Sequence, residues 1–415
     1  MEWKHYKMDE LIEEISMGPF GSDVKKEFYV DNGVPILNGS NLQGFKLQED
    51  SFGYLTKEKA DSLKKCNAHR GDIIVTHRGT LGQIVYVPVD SKYDRYVISQ
   101  SQFRFRCKAD LVDVQYLVYY FHTREGQYKI LANASQVGVP ALARATSTFR
   151  LIDIKLPPLD DQRRIASILS SLDRKIELNN KINADLEEMA QAIFKNWFID
   201  FEPFKDGKFV DSELGMIPEG WKVGRADDFY QINIGKTPPR KENKWFSTNP
   251  ADKIWVSIAN MGNSGIFISD SSEYLTKEAV DRHNIIMVPR NTILLSFKLT
   301  VGRVAIADKE LTTNEAIARF ILSDDKYMEY LYLYLKNFDY NSLGSTSSIA
   351  TAVNSKTIKG MQMLQPSDKI IDAFHIQVNP IFEKIRSLTK ENSRLSLLRD
   401  TLLPRLMSGE LEVPE

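Results

Sequence analysis

The feature that most constrains the fold of this chain is an internal repeat. The pentapeptide YLTKE at residues 54–58 recurs at residues 274–278, which lie 220 positions later. At the same offset, RGDII at residues 70–74 aligns with RNTIL at residues 290–294. Self-similarity over such a long spacing indicates tandem duplication of a whole domain. Two copies of one binding surface on one chain suit a ligand that itself has two similar parts.

Length and composition indicate a globular protein with more than one domain. The 415 residues exceed what a single hydrophobic core usually organises. Hydrophobic residues make up 42% and charged residues 26%, which is ordinary for a globular chain. The formal net charge of -1 gives no sign of a polyanionic partner for the chain as a whole. A local basic face would be enough to bind one, and basic residues outnumber acidic residues between positions 70 and 150.

The cysteine content and the hydropathy pattern indicate a cytoplasmic protein. Cys66 and Cys107 both lie in the first copy and have no counterparts in the second. This argues against a disulfide framework and against a structural zinc site, so that a reducing compartment is expected. No run approaches the roughly 20 apolar residues of a membrane span, and the N-terminus is polar. We therefore expect no membrane partner and no bound metal.

Each copy begins with a segment of mixed α and β character. Short β-rich runs, such as residues 73–76 and 293–296, are separated by Gly, Pro and Asn turns. Helical patches, such as residues 113–124 and 327–336, lie between them. We therefore predict two similar globular α+β domains, at residues 1–156 and 206–364, which are separated by helical segments at residues 157–205 and 365–415.

The helical segments carry an apolar stripe with heptad spacing, which begins after prolines that favour a helix start. An ordinary helix-bundle core would produce the same stripe. The two copies keep identical spacing at an offset of 209 and each places an Asn within the stripe, which favours two long helices paired as an antiparallel coiled coil with pseudo-two-fold symmetry. The predicted helix-pairing residues are Leu172, Ile176, Asn183, Leu186, Ile193, Trp197, Ile381, Ile385, Asn392, Leu395, Leu402 and Leu406.

Two finer expectations concern these helices. We expect Asn183 and Asn392 to approach each other, because a buried polar residue in a coiled-coil seam fixes the register. Pro380 favours a helix restart, and the matching break would lie near Ser170 and Ser171. The remaining long helices would each span about 42 Å.

No motif in the sequence indicates catalysis. Residues 215–222 (GMIPEGWK) have the glycine spacing of a phosphate loop but place Trp221 where a lysine is required. Residues 379–382 (NPIF) lack the second proline of the NPPF loop of amino-methyltransferases. The six histidines show no metal-binding spacing. The sequence therefore predicts no covalent chemistry and no cofactor.

Four segments resemble the specificity subunit of type I restriction–modification systems. They are LPPLDDQRRIASILSSLDRKIELNNKI at residues 156–182, WFIDFEPF at 197–204, DSELGMIPEGW at 211–221 and LLPRLMSGEL at 402–411. The resemblance also extends to the alternation of variable domain and helix along the whole chain.

The resemblance implies a non-catalytic DNA-recognition subunit. Each large domain would be a target-recognition domain that reads one half of a bipartite double-stranded DNA target. The helices would set the spacing and dock two methyltransferase (modification) subunits, which carry S-adenosylmethionine chemistry. Restriction subunits with ATPase and nuclease activity would join indirectly.

DNA contact requires Arg, Lys, Asn, Gln, Ser and Thr on polar loops. Matched loops of this kind occur in both copies, for example residues 77–82 and 298–303. The candidate DNA-binding residues are Ser22, Asn38, Ser40, Asn41, His77, Arg78, Thr80 and Gln136 in the first copy, and Lys236, Thr237, Arg240, Lys241, Asn260, Lys298, Thr300, Arg303, Ser345 and Thr346 in the second.

Plainer interpretations stay open for these loops and for the chain. The glycine-bearing loops are also compatible with simple β-turns, and Asn38 or Asn41 with a turn that holds its own backbone. A solitary DNA-binding protein with two sites would bind without modification subunits. A tandem module for carbohydrate or protein would bind its ligand with little dependence on salt, unlike a DNA-binding protein.

Overall fold

The computed structural model describes residues 2–135, 138–343 and 353–413, without the side chain of Asn263. The chain forms two compact units. The first comprises the residues up to Ile176 together with those from Arg394 onward, and the second comprises Glu177–Ser393. Each unit therefore contains one globular domain and parts of two long helices.

The first domain is built on a four-stranded antiparallel sheet and a five-stranded sheet of shorter strands. Its strands are β1 (Lys4–Lys7), β2 (Ile12–Met17), β3 (Tyr29–Val30), β4 (Val34–Ile36), β5 (Gly53–Leu55), β6 (Asn67–Ala68), β7 (Ile73–Thr76), β8 (Ile84–Tyr86), β9 (Tyr96–Val97), β10 (Gln102–Cys107), β11 (Ala134–Ser135), β12 (Ala141–Leu142) and β13 (Asp153–Leu156). Its helices are α1 (Met8–Leu11), α2 (Lys57–Ser62), α3 (Val114–His122), α4 (Arg124–Leu131) and α5 (Ala145–Arg150). The chain then enters the long helix α6 (Leu159–Phe198).

The second domain follows the same plan after a short hairpin. Its strands are β14 (Phe209–Ser212), β15 (Gly215–Pro218), β16 (Lys222–Arg225), β17 (Gln231–Ile234), β18 (Phe246–Ser247), β19 (Lys253–Val256), β20 (Phe267–Ile268), β21 (Tyr274–Leu275), β22 (Ile293–Ser296), β23 (Val304–Ala307), β24 (Thr312–Thr313), β25 (Ile317–Ile321) and β26 (Gln362–Gln365). Its helices are α7 (Ala226–Phe229), α8 (Ile258–Asn263), α9 (Lys277–Arg282), α10 (Met328–Asn337) and α11 (Ser355–Lys359). The long helix α12 (Asp368–Met407) follows the last strand of this domain.

Strand order confirms that the two domains are copies of one α+β fold. The order β2-β10-β7-β8 in the first domain corresponds to β17-β25-β22-β23 in the second. The pairs β1-β13 and β16-β26 also correspond. The central strands β7 and β22 are continuous apolar runs that are buried on both faces, which explains why they lack the alternation of a half-exposed strand.

Both long helices are continuous over 40 residues, so the predicted breaks at Ser170–Ser171 and at Pro380 were wrong. Pro380 lies on the exposed side of α12, where solvent can meet the carbonyl group that loses its partner. On the opposite side of the helix, Val378 and Phe382 are buried in the core of the second unit. Their packing keeps the helix continuous through Pro380. Each helix spans about 60 Å.

The helix segments pack in antiparallel fashion within each unit. In the second unit the ring of Phe374 lies 4.8 Å from that of Phe198, whereas Asn392 bonds Asn179 at the other end of the pair. In the first unit Arg399 pairs with Asp173 at 2.7 Å. The predicted helix pairing is thereby confirmed, and every predicted pairing residue is buried or half-buried.

The predicted approach of Asn183 to Asn392 was wrong by about one helical turn. Asn179 Nδ2 donates to Asn392 Oδ1 at 2.9 Å, and Asn392 Nδ2 donates to Asn180 Oδ1 at 2.8 Å. A heptad stripe does not distinguish registers that differ by one turn. Aromatic packing of Phe194 and Phe198 against Phe374 is compatible with only one of them.

Candidate nucleic-acid interface

Several loops of the first domain converge on one site, which we call the first loop cluster (residues 18–23, 38–43, 77–83 and 99–101). The Gly18 N–H donates to Gln102 O at 2.8 Å, and a Cβ atom at Gly18 would collide with the Ser99 carbonyl oxygen. Gln83 Nε2 donates to Gly39 O at 3.0 Å and thereby joins two of the loops. The His77 N–H donates to Ser101 O at 2.9 Å and joins a third.

The second domain contains the equivalent second loop cluster (residues 235–241, 257–262, 297–303 and 314–316). The Gly235 N–H donates to Ile317 O at 3.0 Å, and a Cβ atom there would collide with the Asn314 carbonyl oxygen. The Phe297 N–H donates to Ala316 O at 3.0 Å, and Arg303 Nη1 donates to Ile258 O at 2.8 Å. Only glycine permits so close an approach between the two backbones. Gly18 and Gly235 therefore play the same part in the two domains, which is to hold the first loop against the turn before β10 or β25.

The two hairpin loops after β7 and β22 share one backbone conformation. Gly79 and Leu299 have φ of 90° and 61°, and Gly82 and Gly302 have φ of 85° and 90°. Positive φ is unusual for leucine and places Leu299 fully exposed at the tip of its loop. The predicted contact residues Arg78, Thr80, Lys298 and Thr300 are all exposed on these tips. The structure therefore presents a cation and a hydroxyl at matched positions.

His77 has a different role from its exposed neighbours. Its Nε2 atom lies 3.1 Å from Gln100 O, and burial lowers the pKa of the ring, with the charge of Arg78 acting in the same direction. The ring is therefore neutral near pH 7 and donates from Nε2 to that carbonyl. His77 joins two loops of the first cluster.

Two of the predicted asparagines, Asn41 and Asn260, stabilise the loops in which they lie. Asn41 is fully buried, accepts from the Asn38 N–H at 2.9 Å and donates to Gln48 O and Ser51 O. Asn260 holds the matching turn, because its Oδ1 accepts from the Ser257 N–H at 2.9 Å. Asn41 therefore stabilises the backbone of its own turn, which is the plainer of the two interpretations. A buried amide cannot contact a DNA base directly.

The exposed members of that loop keep a free approach to solvent. Asn38 and Ser40 are exposed, although Asn38 Oδ1 also accepts from the Ser40 N–H at 2.8 Å. Ser22 is exposed on the neighbouring loop. Together with Arg78 and Thr80, five of the first cluster's predicted polar residues therefore lie where a ligand can reach them.

The basic segment of the second cluster is held in place by aromatic and acidic neighbours. The guanidinium of Arg240 lies 4.2 Å from the ring of Phe246 and 4.5 Å from that of Trp255, and Nη1 bonds Glu273 at 2.6 Å. Such stacking restricts an arginine while leaving its remaining donors available. Lys241 next to it is exposed.

Lys236, Thr237 and Arg303 make contacts within the second domain. Lys236 is exposed but donates to His283 O at 2.5 Å. Thr237 donates its hydroxyl hydrogen to Glu315. The predicted residues Gln136, Ser345 and Thr346 lie outside the described residues.

Sequence reasoning missed two residues, Gln100 and Glu315. Each occupies the turn before the central strand β10 or β25, and each is exposed beside its loop cluster. The repeat alignment could have found them, had it been continued from β10 and β25 back into these turns. The alignment is hard to see at these turns because the spacing differs between the copies. Two residues separate β9 from Gln100, whereas one residue separates β24 from Glu315.

The described residues contain no group of three or more His, Cys, Asp or Glu side chains placed to hold a metal ion. Within the same residues, no helix is both long enough and apolar enough to cross a lipid bilayer. The two cysteines are free thiols. The second loop cluster carries more cationic than anionic side chains, whereas in the first loop cluster the charge of Arg78 is balanced by that of Asp23.

Comparison with known proteins identifies the family. Residues 1–188 and 218–375 match the Methylase_S family model, the type I restriction modification DNA specificity domain. The specificity subunit of the type I restriction enzyme HindI from Haemophilus influenzae is 26% identical over 473 residues, covering 99% of this chain and 100% of that protein. The MjaIX specificity subunit from Methanocaldococcus jannaschii is 29% identical over 428 residues, covering 100% and 94%.

A solved structure shares the fold. The S subunit of a type I restriction-modification system from M. genitalium aligns with a TM-score of 0.57 at 16% identity, covering 98% of this chain and 96% of that one. The chain described here belongs to the family of type I restriction-modification DNA specificity subunits. Its role in such a complex is DNA specificity, and it is not the catalytic subunit.

Proposed function

We propose that the two domains each read one half of a bipartite DNA target, with recognition domains at residues 1–156 and 206–364. The helical segments, at residues 157–205 and 365–415, would set the distance between the half-sites. The observation that carries this proposal is the pair of loop clusters: the same turns recur in both domains, but they present different side chains. One scaffold with two sets of polar residues suits two different half-sites.

Different members of the clusters would make different kinds of contact. The exposed cations Arg78, Lys241 and Lys298 suit phosphate, as do the hydroxyl groups of Ser22, Ser40, Thr80 and Thr300. Arg240 is held rigidly by its aromatic neighbours and suits bidentate contact with guanine. Asn38 would contact bases, whereas Asn41, Asn260 and Arg303 would shape the loops. Gln136, Ser345 and Thr346 remain proposed contacts from the sequence alone.

We further propose that the long helices dock two modification subunits at matched positions. Met189 and Leu398 are related by the repeat offset of 209, and their exposed fractions are 53% and 47%. An apolar side chain left exposed at the same point of both copies suits two copies of one partner. Restriction subunits would join through these modification subunits. S-adenosylmethionine and ATP would be bound by the partners in the cytoplasm, and this chain would need no cofactor.

The docking proposal can be tested by co-purification. Met189→Glu and Leu398→Glu should each weaken capture of one modification subunit, and together they should abolish capture. Leu178→Glu is the control, because Leu178 is exposed on the same helix but its repeat partner is Ser387. Full capture by the double variant would refute these docking sites.

The proposed function as a whole is tested by sequencing methylated bases in cells with and without this gene. One split motif should be present with the gene and absent after its deletion. A contiguous motif would contradict the two-domain proposal. If the purified chain binds a split site but no modification subunit co-purifies, it acts as a solitary DNA-binding protein. Ligand binding that hardly changes with salt would instead favour a carbohydrate or protein ligand.

A further inference from the structure

Gln100 and Glu315 occupy the same position in the two loop clusters. In each domain, the residue after this position accepts a hydrogen bond from the hairpin loop: Ser101 O from His77 and Ala316 O from Phe297. The residue before it, Ser99 or Asn314, is the one whose carbonyl oxygen fills the space where a Cβ of Gly18 or Gly235 would lie. The main-chain contacts therefore superpose the two turns residue by residue.

Glu315 is an acidic side chain among the cations of the second cluster. Partial burial raises the pKa of its carboxyl group, but the hydrogen bond from Thr237 Oγ1 and the positive charges nearby outweigh burial. Those charges belong to Lys298 and Arg240, and the pKa ends below its ordinary value. The group is therefore a carboxylate at neutral pH, and its Oε2 atom is fixed by Thr237.

A carboxylate at this place has a restricted choice of DNA partner. It only accepts hydrogen bonds, and phosphate oxygens also only accept, so a phosphate would be repelled. Among base edges in the major groove, cytosine presents the N4 amino donor without an adjacent acceptor. Adenine places N7, an acceptor, beside its N6 donor. Glu315 is therefore suited to cytosine.

The equivalent side chain in the first cluster, Gln100, can both donate and accept hydrogen bonds. Gln100 is exposed, and its amide carries both a donor and an acceptor, which matches the N6 and N7 atoms of adenine. Its Oε1 atom lies in the space that a side chain at Gly21 would occupy. The glycine there leaves room for the amide at the face of the cluster.

We propose that this shared position determines base specificity, with Gln100 reading an adenine in one half-site and Glu315 a cytosine in the other. The inference rests on the proposed function, since it assigns a base contact to each proposed recognition domain. Glu315→Gln should replace a cytosine preference by an adenine preference at one position of one half-site. Gln100→Glu should make the reverse change at one position of the other.

The test is methylated-base sequencing with the complete complex, together with binding of purified complex to oligonucleotides that vary one base pair at a time. Each substitution should change the preference at its position by about 5- to 150-fold, which is the discrimination that a good base contact supplies. The half-site of the unchanged domain is an internal control for folding and assembly.

Two results would overturn the inference. In the first, Glu315→Gln lowers affinity equally for every sequence, which means that Glu315 only braces Lys298 and Arg240. In the second, folded Gln100→Glu and Glu315→Gln variants both retain the wild-type motif. If one variant fails to unfold cooperatively, the other decides, because the two lie in different domains. Absence of any split motif with the wild-type chain would instead refute the proposed function itself.

Discussion

Asn179 and Asn392 are bonded across the long-helix pair of the second unit, with Nδ2 of Asn179 2.9 Å from Oδ1 of Asn392. Asn179 is buried in the seam, and the same Nδ2 atom also bonds Glu391. A paired polar contact inside an otherwise apolar seam selects one register at some cost in stability. This contact and the aromatic packing around Phe374 together fix the alignment on which the proposed spacer role depends.

Removing one partner of this contact should destabilise the protein. Asn392→Leu leaves the buried Asn179 amide without one of its hydrogen bonds, and we expect a loss of about 1–3 kcal/mol in the free energy of unfolding. Replacing both residues by leucine should recover most of the loss. Urea denaturation followed by circular dichroism measures both effects.

Asn183 provides a matched comparison on the same helix. Its buried Oδ1 atom has no hydrogen-bond partner among the described residues. Asn183→Leu should therefore leave stability unchanged or raise it. A loss as large as that of Asn392→Leu would show that Asn183, and not Asn179, fixes the register.

The first unit contains a polar contact of a different kind. Arg399 pairs with Asp173 at 2.7 Å, and its guanidinium lies 5.0 Å from the centre of the Phe45 ring. The hydroxyl group of Tyr119 donates a hydrogen bond to the same Asp173. Asp173→Ala should cost about 3 kcal/mol, because it leaves the Tyr119 hydroxyl without its acceptor and removes the less exposed of the two carboxylates that pair with Arg399. Asp400→Ala, which removes only the exposed partner of Arg399, should cost at most about 1 kcal/mol. Equal losses would mean that Asp173 is no more important than a surface charge.

The stability of the first domain should fall in mild acid. Burial lowers the pKa of His122 below its ordinary value of 6.5, although its Nε2 atom bonds Ile84 O at 2.9 Å. Below pH 6.5 His122 is protonated in the unfolded chain but stays neutral in the folded protein. The free energy of unfolding therefore decreases as the pH falls from 6.5 towards the lowered pKa. His122→Gln should flatten part of this decline in thermal-unfolding curves. An unchanged slope in the His122 variant would contradict the assignment.

The exposed loop-tip cations should act mainly on phosphate. Arg78→Ala and Lys298→Ala should each weaken binding to all sequences, and each should reduce the slope of log affinity against log salt by about 0.9. Arg163→Ala, an exposed cation on α6, is the control. A change in base preference without a change in slope would assign the residue to base recognition instead.

The sequence predicted the architecture better than the details of the site. The repeat and the heptad stripe led to two α+β domains and two paired helices, because duplicated apolar patterns reflect duplicated packing. The register was missed because aromatic packing around Phe374 selects it, and helix continuity was missed because Pro380 lies on the solvent side. Asn41 looks like a contact residue in sequence, and only its burial shows that it supports a turn.

The most direct test of the account is a change in spacer length. Because α6 and α12 are paired in one register, seven residues should be inserted in both helices, after Ala184 and after Ser387. Each insertion adds about 10.5 Å of helix, and methylated-base sequencing should show both half-sites unchanged with a gap longer by about three base pairs. Methylation at the original gap by the extended protein would contradict the claim that the helices hold two DNA-reading domains at a fixed separation.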